Sequence, residues 1–374
     1  MGSSDVFALT IHADYRCQNS GACCSADWDV PVELPVYRTL REAVASQHLS
    51  PQPSAAHLNP FIVEPDLPDG AAAILQTTET GECVFLDREA KLCRVHRDLG
   101  EPALPATCRH FPRLAVHDRR GTFVTLSHFC PTAASMLFRE DLPLEILSAP
   151  PAFPLADYEG LDVTDEDLPP LLAPAMLMDL PGYSAWERHM VARCAEVGHL
   201  PESVLATLGR DAQMLRAWKP GGPTLVDAVA ALPVEFVDAD PPATLEPSLS
   251  MFEVAMGAVP DEWRPEADRA GLDEAFSDYV RSAWPSFRAP LDRYLAGKAF
   301  ASWTAYQGRG VATIVGGLEA ALALVRVEAA RQCRNAARSL DARLLVEAIR
   351  RADFILNHLA VGEDLADAWS ALEH

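Results

Sequence analysis

Lysine is nearly missing from this chain: Lys91, Lys219 and Lys298 are the only three in 374 residues, and the formal charge at neutral pH is −22. So acidic a chain repels phosphate backbones, which argues against nucleic acid as a partner. A basic or lysine-bearing partner fits the charge better, although acidity serves solubility first. Long apolar runs are also absent, and without a stretch of about twenty such residues no membrane span is expected. The opening MGSSDVFALTIHADYRC lacks the basic and apolar regions of a secretory signal, so the expectation is a soluble cytoplasmic protein. No internal repeat suggests a solenoid. Nor is there a strand, glycine loop and helix for a dinucleotide: QGRGVATIVGG (307–317) has the glycines without the strand, and reads as a turn and a helix start.

Cysteine, by contrast, is plentiful and unevenly placed. Nine occur, an odd number that fits a disulfide framework poorly, and in a reducing compartment metal binding ranks above disulfides. Cys17, Cys23, Cys24, Cys83, Cys93, Cys108 and Cys130 fall in the first 130 residues; only Cys194 and Cys333 lie beyond. At 374 residues two domains are expected. We divide the chain into a cysteine-cluster domain (1–141), a connector rich in proline and acid (142–181) and a helical domain (182–374).

The first part has mixed texture. VFALTI and GTFVTLSHF read as strands, ECVFLDREAKLCRV as two strands around a polar turn, and LPVYRTLREAVASQ as a helix. In the last part GYSAWERHMVARCAEVGHLP reads as a helix with a Ser184/Glu187 capping box, Trp186, Met190, Cys194 and Val197 on one face, and Gly198 and Pro201 as its stop. Leu318, Leu322, Val325 and Ala329 form a second stripe ending at Cys333, and Leu345, Ile349, Ala352, Leu356 and Leu359 a third. Cys194 and Cys333 are therefore core residues, and Trp284, Tyr294, Trp303 and Tyr306 are read as packing between helices. The fold class expected is α+β: a small mixed metal domain with short strands, followed by a mainly α-helical domain.

The seven early cysteines sit at turns and loops, four of the five settings marked by proline or glycine. Loops turn sulfurs towards a common point more readily than regular elements do, and converging thiolates are what zinc or an iron-sulfur cluster needs. The spacing is not that of paired Cys-x-x-Cys ribbons. Adjacent Cys23 and Cys24 serve two sites or, with a bent backbone, one ion; a disulfide between them would be strained. Seven thiols are one short of two four-thiolate sites, so His96, His110 or His128 fills the eighth place or a position stays open. Arg88, Lys91, Arg94, His96, Arg97, Arg109, His110, Arg113, His117, Arg119 and Arg120 crowd the same region, where their charge offsets thiolates or binds an anion.

Assembled in order, GACC, GECVFLDREAKLCRVHRDLGEPALPATCRHFPR and LSHFCPTAASMLF resemble a zinc- or iron-chelating cysteine-cluster family, and within it the flagellin lysine N-methylases. The likeness covers roughly residues 15–138 and departs from that pattern after Cys24 and before Cys130. It implies Cys17, Cys23, Cys24, Cys83, Cys93, Cys108 and Cys130 as metal ligands, an iron-sulfur cluster or iron with zinc as the alternative, and S-adenosylmethionine as methyl donor to a lysine of a protein substrate. The lysine amine must be neutral to attack a methyl group, which calls for desolvation or a base. No such base is identifiable in the sequence. A non-catalytic chelator and a purely structural zinc are the alternatives.

Overall fold

A computed structural model of the chain describes residues 5–65, 67–139, 141–154, 156, 158, 160–164, 170–264, 268–307 and 310–371. Parts of the expected connector, and Gly308 and Arg309 of the glycine-rich stretch, lie outside them. The fold is α+β and resolves into two compact units, one of residues Arg16–Leu114, the other of Met1–Tyr15 with Ala115–His374. This partition differs from the expected boundary at 141. The strand Val6–Leu9 pairs with Gly121–Leu126 and with Ile146–Ser148, so the chain's start joins the helical body, and the proline-rich stretch contributes strands of its own.

In the larger unit a five-stranded sheet runs in the order Gly160–Asp162, Arg113–Asp118, Gly121–Leu126, Val6–Leu9, Ile146–Ser148. Val6–Leu9 lies parallel to Gly121–Leu126, with Phe7 opposite Phe123 and the two rings stacked at 4.9 Å. Parallel neighbours end side by side, so the residues following Leu9 and Leu126 emerge together. Sharing one hydrophobic core with the sheet are helices Leu180–Ala195, Pro201–Arg216, Glu246–Gly257, Arg288–Ala299, Val311–Ala336 and Ala342–Phe354. Val311–Ala336 is the axis: 26 residues, about 39 Å at 1.5 Å per residue, and buried on every side over most of its length. Leu318, Leu322, Val325, Ala329 and Cys333 are all covered, as their spacing predicts.

Two details of the helical expectation change. The helix over Trp186 is capped by Asp179, whose side chain accepts from the Gly182 N–H at 2.7 Å, so Ser184 is already inside and no capping box forms there. The helix stops at Ala195, and Val197, beyond it, is 84% exposed rather than on the apolar face. Cys194 is buried beside Trp186 and Met190 in the same core, and Leu359 is only half-buried at the end of its stripe. Trp284 and Tyr294 are fully enclosed, while Trp303 and Tyr306 pack on the core's edge.

The smaller unit has its own core, around Val32, Leu40, Phe61, Leu75, Phe85 and Val95. A three-stranded antiparallel sheet, Pro31–Glu33, Ala71–Leu75 and Phe61–Ile62, carries the helix Leu34–Ala45. The expected hairpin is present, with Leu86–Asp87 paired to Leu92–Cys93 and Leu86 opposite Cys93. Cys24, Cys83, Cys93 and Cys108 pack in or against this core.

Candidate metal centre

The cysteines of the smaller unit are delivered by a 3-10 turn, a loop, the end of a hairpin and a short helix, each placed by its neighbours. Ala22–Cys24 forms one 3-10 turn after Gly21, closed by the Cys24 N–H to Gly21 O bond of 3.0 Å. Successive side chains diverge around such a turn, yet the Cys23 and Cys24 sulfurs are 3.9 Å apart. Two thiolates held at about 2.3 Å from one tetrahedral zinc lie about 3.8 Å apart, so the pair has the spacing of two ligands on one ion.

Cys83 is locked to the same turn, because its N–H donates to Cys24 O at 2.8 Å. Its own carbonyl is held by Gln52 Nε2 at 3.0 Å, a buried bond across the core. Before it, Gly81 has a φ of +73°, and a β-carbon there would stand 2.7 Å from Asp27 Cγ. Only glycine permits that loop. Cys93 ends the hairpin and precedes the short helix Arg94–Leu99, so that the backbone N–H groups of Val95 and His96 face its sulfur. Cys108 lies within the helix Ala106–His110, whose first N–H, from Ala106, is bonded by Glu33 at 2.9 Å.

The electrostatics of the five thiols are mutual. The bond from Cys24 draws Cys93 down to about 7, helped by the His96 and Val95 N–H groups and opposed by burial. Cys23 is likewise lowered by its bond with Cys24. Cys24, flanked by the sulfurs of Cys23 and Cys93 and buried, is held firmly protonated. Burial pushes Cys83 up to about 12, and burial with the charges of Cys83, Cys23, Cys93 and Glu33 raises Cys108 well above a free thiol. Cys23, Cys24, Cys83, Cys93 and Cys108 thus sense one another: four separate segments bring five thiols into one neighbourhood. A cavity of about 10 Å³, about the space of one water, is lined by Cys23, Cys24, Cys83, Asp27, Trp28 and Thr77.

Among the described residues, no group of three or more His, Cys, Asp or Glu side chains is placed so that it could hold a metal ion as it stands. The thiols are gathered rather than fully converged. Their chemistry suits zinc or iron, since thiolates are the donors both metals take in structural and cluster sites.

The remaining expected ligands are placed otherwise. Cys17 is exposed at the start of the same loop, with Asn19 beside its sulfur. Cys130 is buried in the larger unit, 3.6 Å from Tyr15 Oη. Of the histidines weighed for the eighth place, His96 is exposed and His128 is enclosed in the larger unit. Four members of the basic cluster pair with carboxylates: Arg88 with Glu82, Arg94 and Arg97 with Asp87, Arg97 also with Asp98, and Arg120 with Asp118 and Glu187. The sequence could not disclose those carboxylate partners.

Residues 16–131 match a family model described as "Putative zinc- or iron-chelating domain". The match covers the five gathered thiols together with Cys17 and Cys130, and it concerns metal chelation, not methyl transfer. No curated protein and no solved structure matches the chain. Among the described residues no helix is long and apolar enough to cross a membrane.

Proposed function

We propose that the unit Arg16–Leu114 is a thiolate centre for zinc or iron, drawing its ligands from Cys23, Cys24, Cys83, Cys93 and Cys108. The observation that carries this is the gathering of five thiols from four segments, with Cys23 and Cys24 at the spacing of two ligands on one ion. Bound metal would supply the positive charge that a group of buried thiols otherwise lacks. The chain's own residues position the donors: Gln52 and the Cys24 carbonyl fix Cys83, and the hairpin and the helix start after it fix Cys93.

Metal analysis and the visible spectrum of anaerobically purified protein test the proposal. Stoichiometric zinc, or iron with or without sulfide, is expected; metal-free protein that takes up neither ion on reconstitution refutes it. Cys93→Ser should lose most of the metal, whereas Cys194→Ala and Cys333→Ala, in the core of the larger unit, should keep it.

The enzymatic form of the proposal is methyl transfer from S-adenosylmethionine to a lysine of a protein partner. It rests on the order of the cysteine segments and on a charge of −22 that suits a lysine-bearing partner. The large helical unit is more than chelation alone requires. Calorimetry with S-adenosylmethionine on the metal-loaded full chain tests it, and absence of binding removes it.

A further inference from the structure

The helix Glu246–Gly257 lines a recess of the larger unit with one of its faces. Leu249, Phe252, Glu253 and Met256 recur at intervals of three and four, so they stand one above another on that face. Leu272 completes the apolar wall, and the space enclosed is about 270 Å³. Small-molecule sites begin at roughly 300 Å³, so the occupant is small. At about 30 Å³ for each water-sized group, the recess holds a chain of about nine heavy atoms.

The charged lining runs against the composition. Asp and Glu outnumber Lys and Arg by 53 to 31 in the whole chain, yet here Arg264, Arg269 and Arg331 stand against the single carboxylate of Glu253. Arg331 is part of the wall: it pairs with buried Glu328, and its guanidinium carbon lies 5.5 Å from the centre of the Phe252 ring. Arg264 and Arg269 are held more loosely. Each is 42% exposed, and their partners Asp261 and Glu253 are more exposed still. Surface pairs of this kind contribute little, so both guanidinium forks can turn to another anion at small cost. Arg264 is nonetheless tethered, donating from Nη2 to Val259 O at 2.9 Å.

We propose that this recess binds a small organic monocarboxylate with an aliphatic tail, the tail against Leu249, Phe252, Met256 and Leu272 and the carboxylate on the forks of Arg264 and Arg269. A planar carboxylate matches a guanidinium with two oxygens to two N–H groups. Asp261, Glu253 and Glu328 already offset most of the local positive charge, which favours a monoanion over a phosphate dianion. The site contains no cysteine and requires neither metal nor S-adenosylmethionine, so it stands or falls independently of the thiolate centre and of methyl transfer.

The test is isothermal titration calorimetry of octanoate against the full chain. One equivalent is expected to bind. Octylammonium, with the same tail and the opposite charge, and acetate, with the same head and no tail, should each bind at least about tenfold more weakly. Gly257 supplies a blocking variant: it ends the helix at the edge of the recess, and a β-carbon on it would meet nothing within 4 Å. Gly257→Leu therefore fills space without a clash and replaces a poor helix former. It should keep the urea midpoint and weaken octanoate at least about tenfold, the loss of most of the tail's contact area. Arg264→Gln and Arg269→Gln, both at exposed positions, should each weaken it about three- to tenfold and leave circular dichroism unchanged. Absence of octanoate binding at millimolar concentration, octylammonium or octyl phosphate binding as tightly as octanoate, or unchanged octanoate affinity in the two arginine variants overturns the proposal.

Discussion

Acidifying the metal-free protein from about pH 7 to about pH 5 should destabilise the helical unit by at least about 2 kcal/mol, because it buries imidazoles that stay neutral only when folded. His358, partly buried with its Nε2 2.7 Å from Ser127 Oγ, is lowered by burial to about 4. An unfolded imidazole titrates near 6.5, so at pH 5 the unfolded chain has bound a proton that the folded chain refuses; about 1.5 pH units at about 1.36 kcal/mol each is about 2 kcal/mol. His12, fully enclosed, is pushed well below 6.5 by burial and then by His128, and acts in the same direction. His128 is lowered less simply, since Asp353 opposes the effect of burial. The sign is fixed by the direction of these shifts. A depressed histidine contributes its full stability above 6.5 and loses it as pH falls towards the folded value. Asp353, held low against its burial by Lys298 and His128, enters only below the range of an ordinary carboxyl, near 4 and under. The assay is urea unfolding in the presence of chelator at about pH 7, 6 and 5, followed by tryptophan fluorescence; all seven tryptophans except Trp28 belong to the larger unit. His358→Gln should remove about 2 kcal/mol of the loss. A stability that is flat between pH 7 and 5, or a His358→Gln chain with the full slope, refutes the reasoning.

Gly81→Ala combines a left-handed backbone with a 2.7 Å approach to Asp27, a strain of about 1–2 kcal/mol from the backbone alone, and should displace the Cys83 loop. The outcome to measure is metal retained after dialysis against a chelator; retention equal to wild type counts against the placement of Cys83. Glu202→Gln removes the charge facing Arg326, whose Nη2 is 2.6 Å away, and weakens the acceptor of Trp284 Nε1 at 2.9 Å. Both residues of the pair are nearly buried, and breaking such a pair costs about 3–5 kcal/mol, so the urea midpoint should fall sharply. A midpoint that does not move would mean that water reaches Arg326.

Local pattern foretold what local pattern controls. The hairpin ending at Cys93, the strand Gly121–Leu126, the helix Leu34–Ala45 and the buried stripe through Leu318 and Leu322 follow from alternation and helical period. What escaped depends on partners distant in sequence. Val6–Leu9 is legible as a strand, but its pairing with Gly121–Leu126 across more than a hundred residues is not, and that pairing sets the boundary between the units. The cap at Asp179 was hidden because Ser184 and Glu187 have the same spacing as a capping box one turn too late. The thiols of Cys23, Cys24, Cys83, Cys93 and Cys108 were legible as turn residues, yet their order around one another required the Cys83 N–H to Cys24 O bond. His12 carried no signal at all: a single histidine after a strand is ordinary, and only the parallel register brings it to His128.

The thiol group is also informative about why a metal suits this unit rather than a plain apolar core. Five thiols, Cys83 buried and Cys23, Cys24, Cys93 and Cys108 half-buried, would pack as cheaply as small hydrophobes if all remained protonated. Here they do not: Cys23 and Cys93 are drawn down while Cys24, Cys83 and Cys108 are driven up. The split arises because the N–H groups of Val95 and His96 and the Cys24 thiol stabilise a thiolate on Cys93, and each thiolate formed raises the cost of the next. A neutral hydrophobic cluster gains nothing from such a gradient, whereas a cation entering beside Cys93 would meet one sulfur already half ionised near pH 7 and displace protons from the others in turn. Uptake should therefore release protons, fewer than the number of sulfurs bound at neutral pH, and its affinity should rise with pH more steeply below about 7, where Cys93 also gives up a proton, than above it.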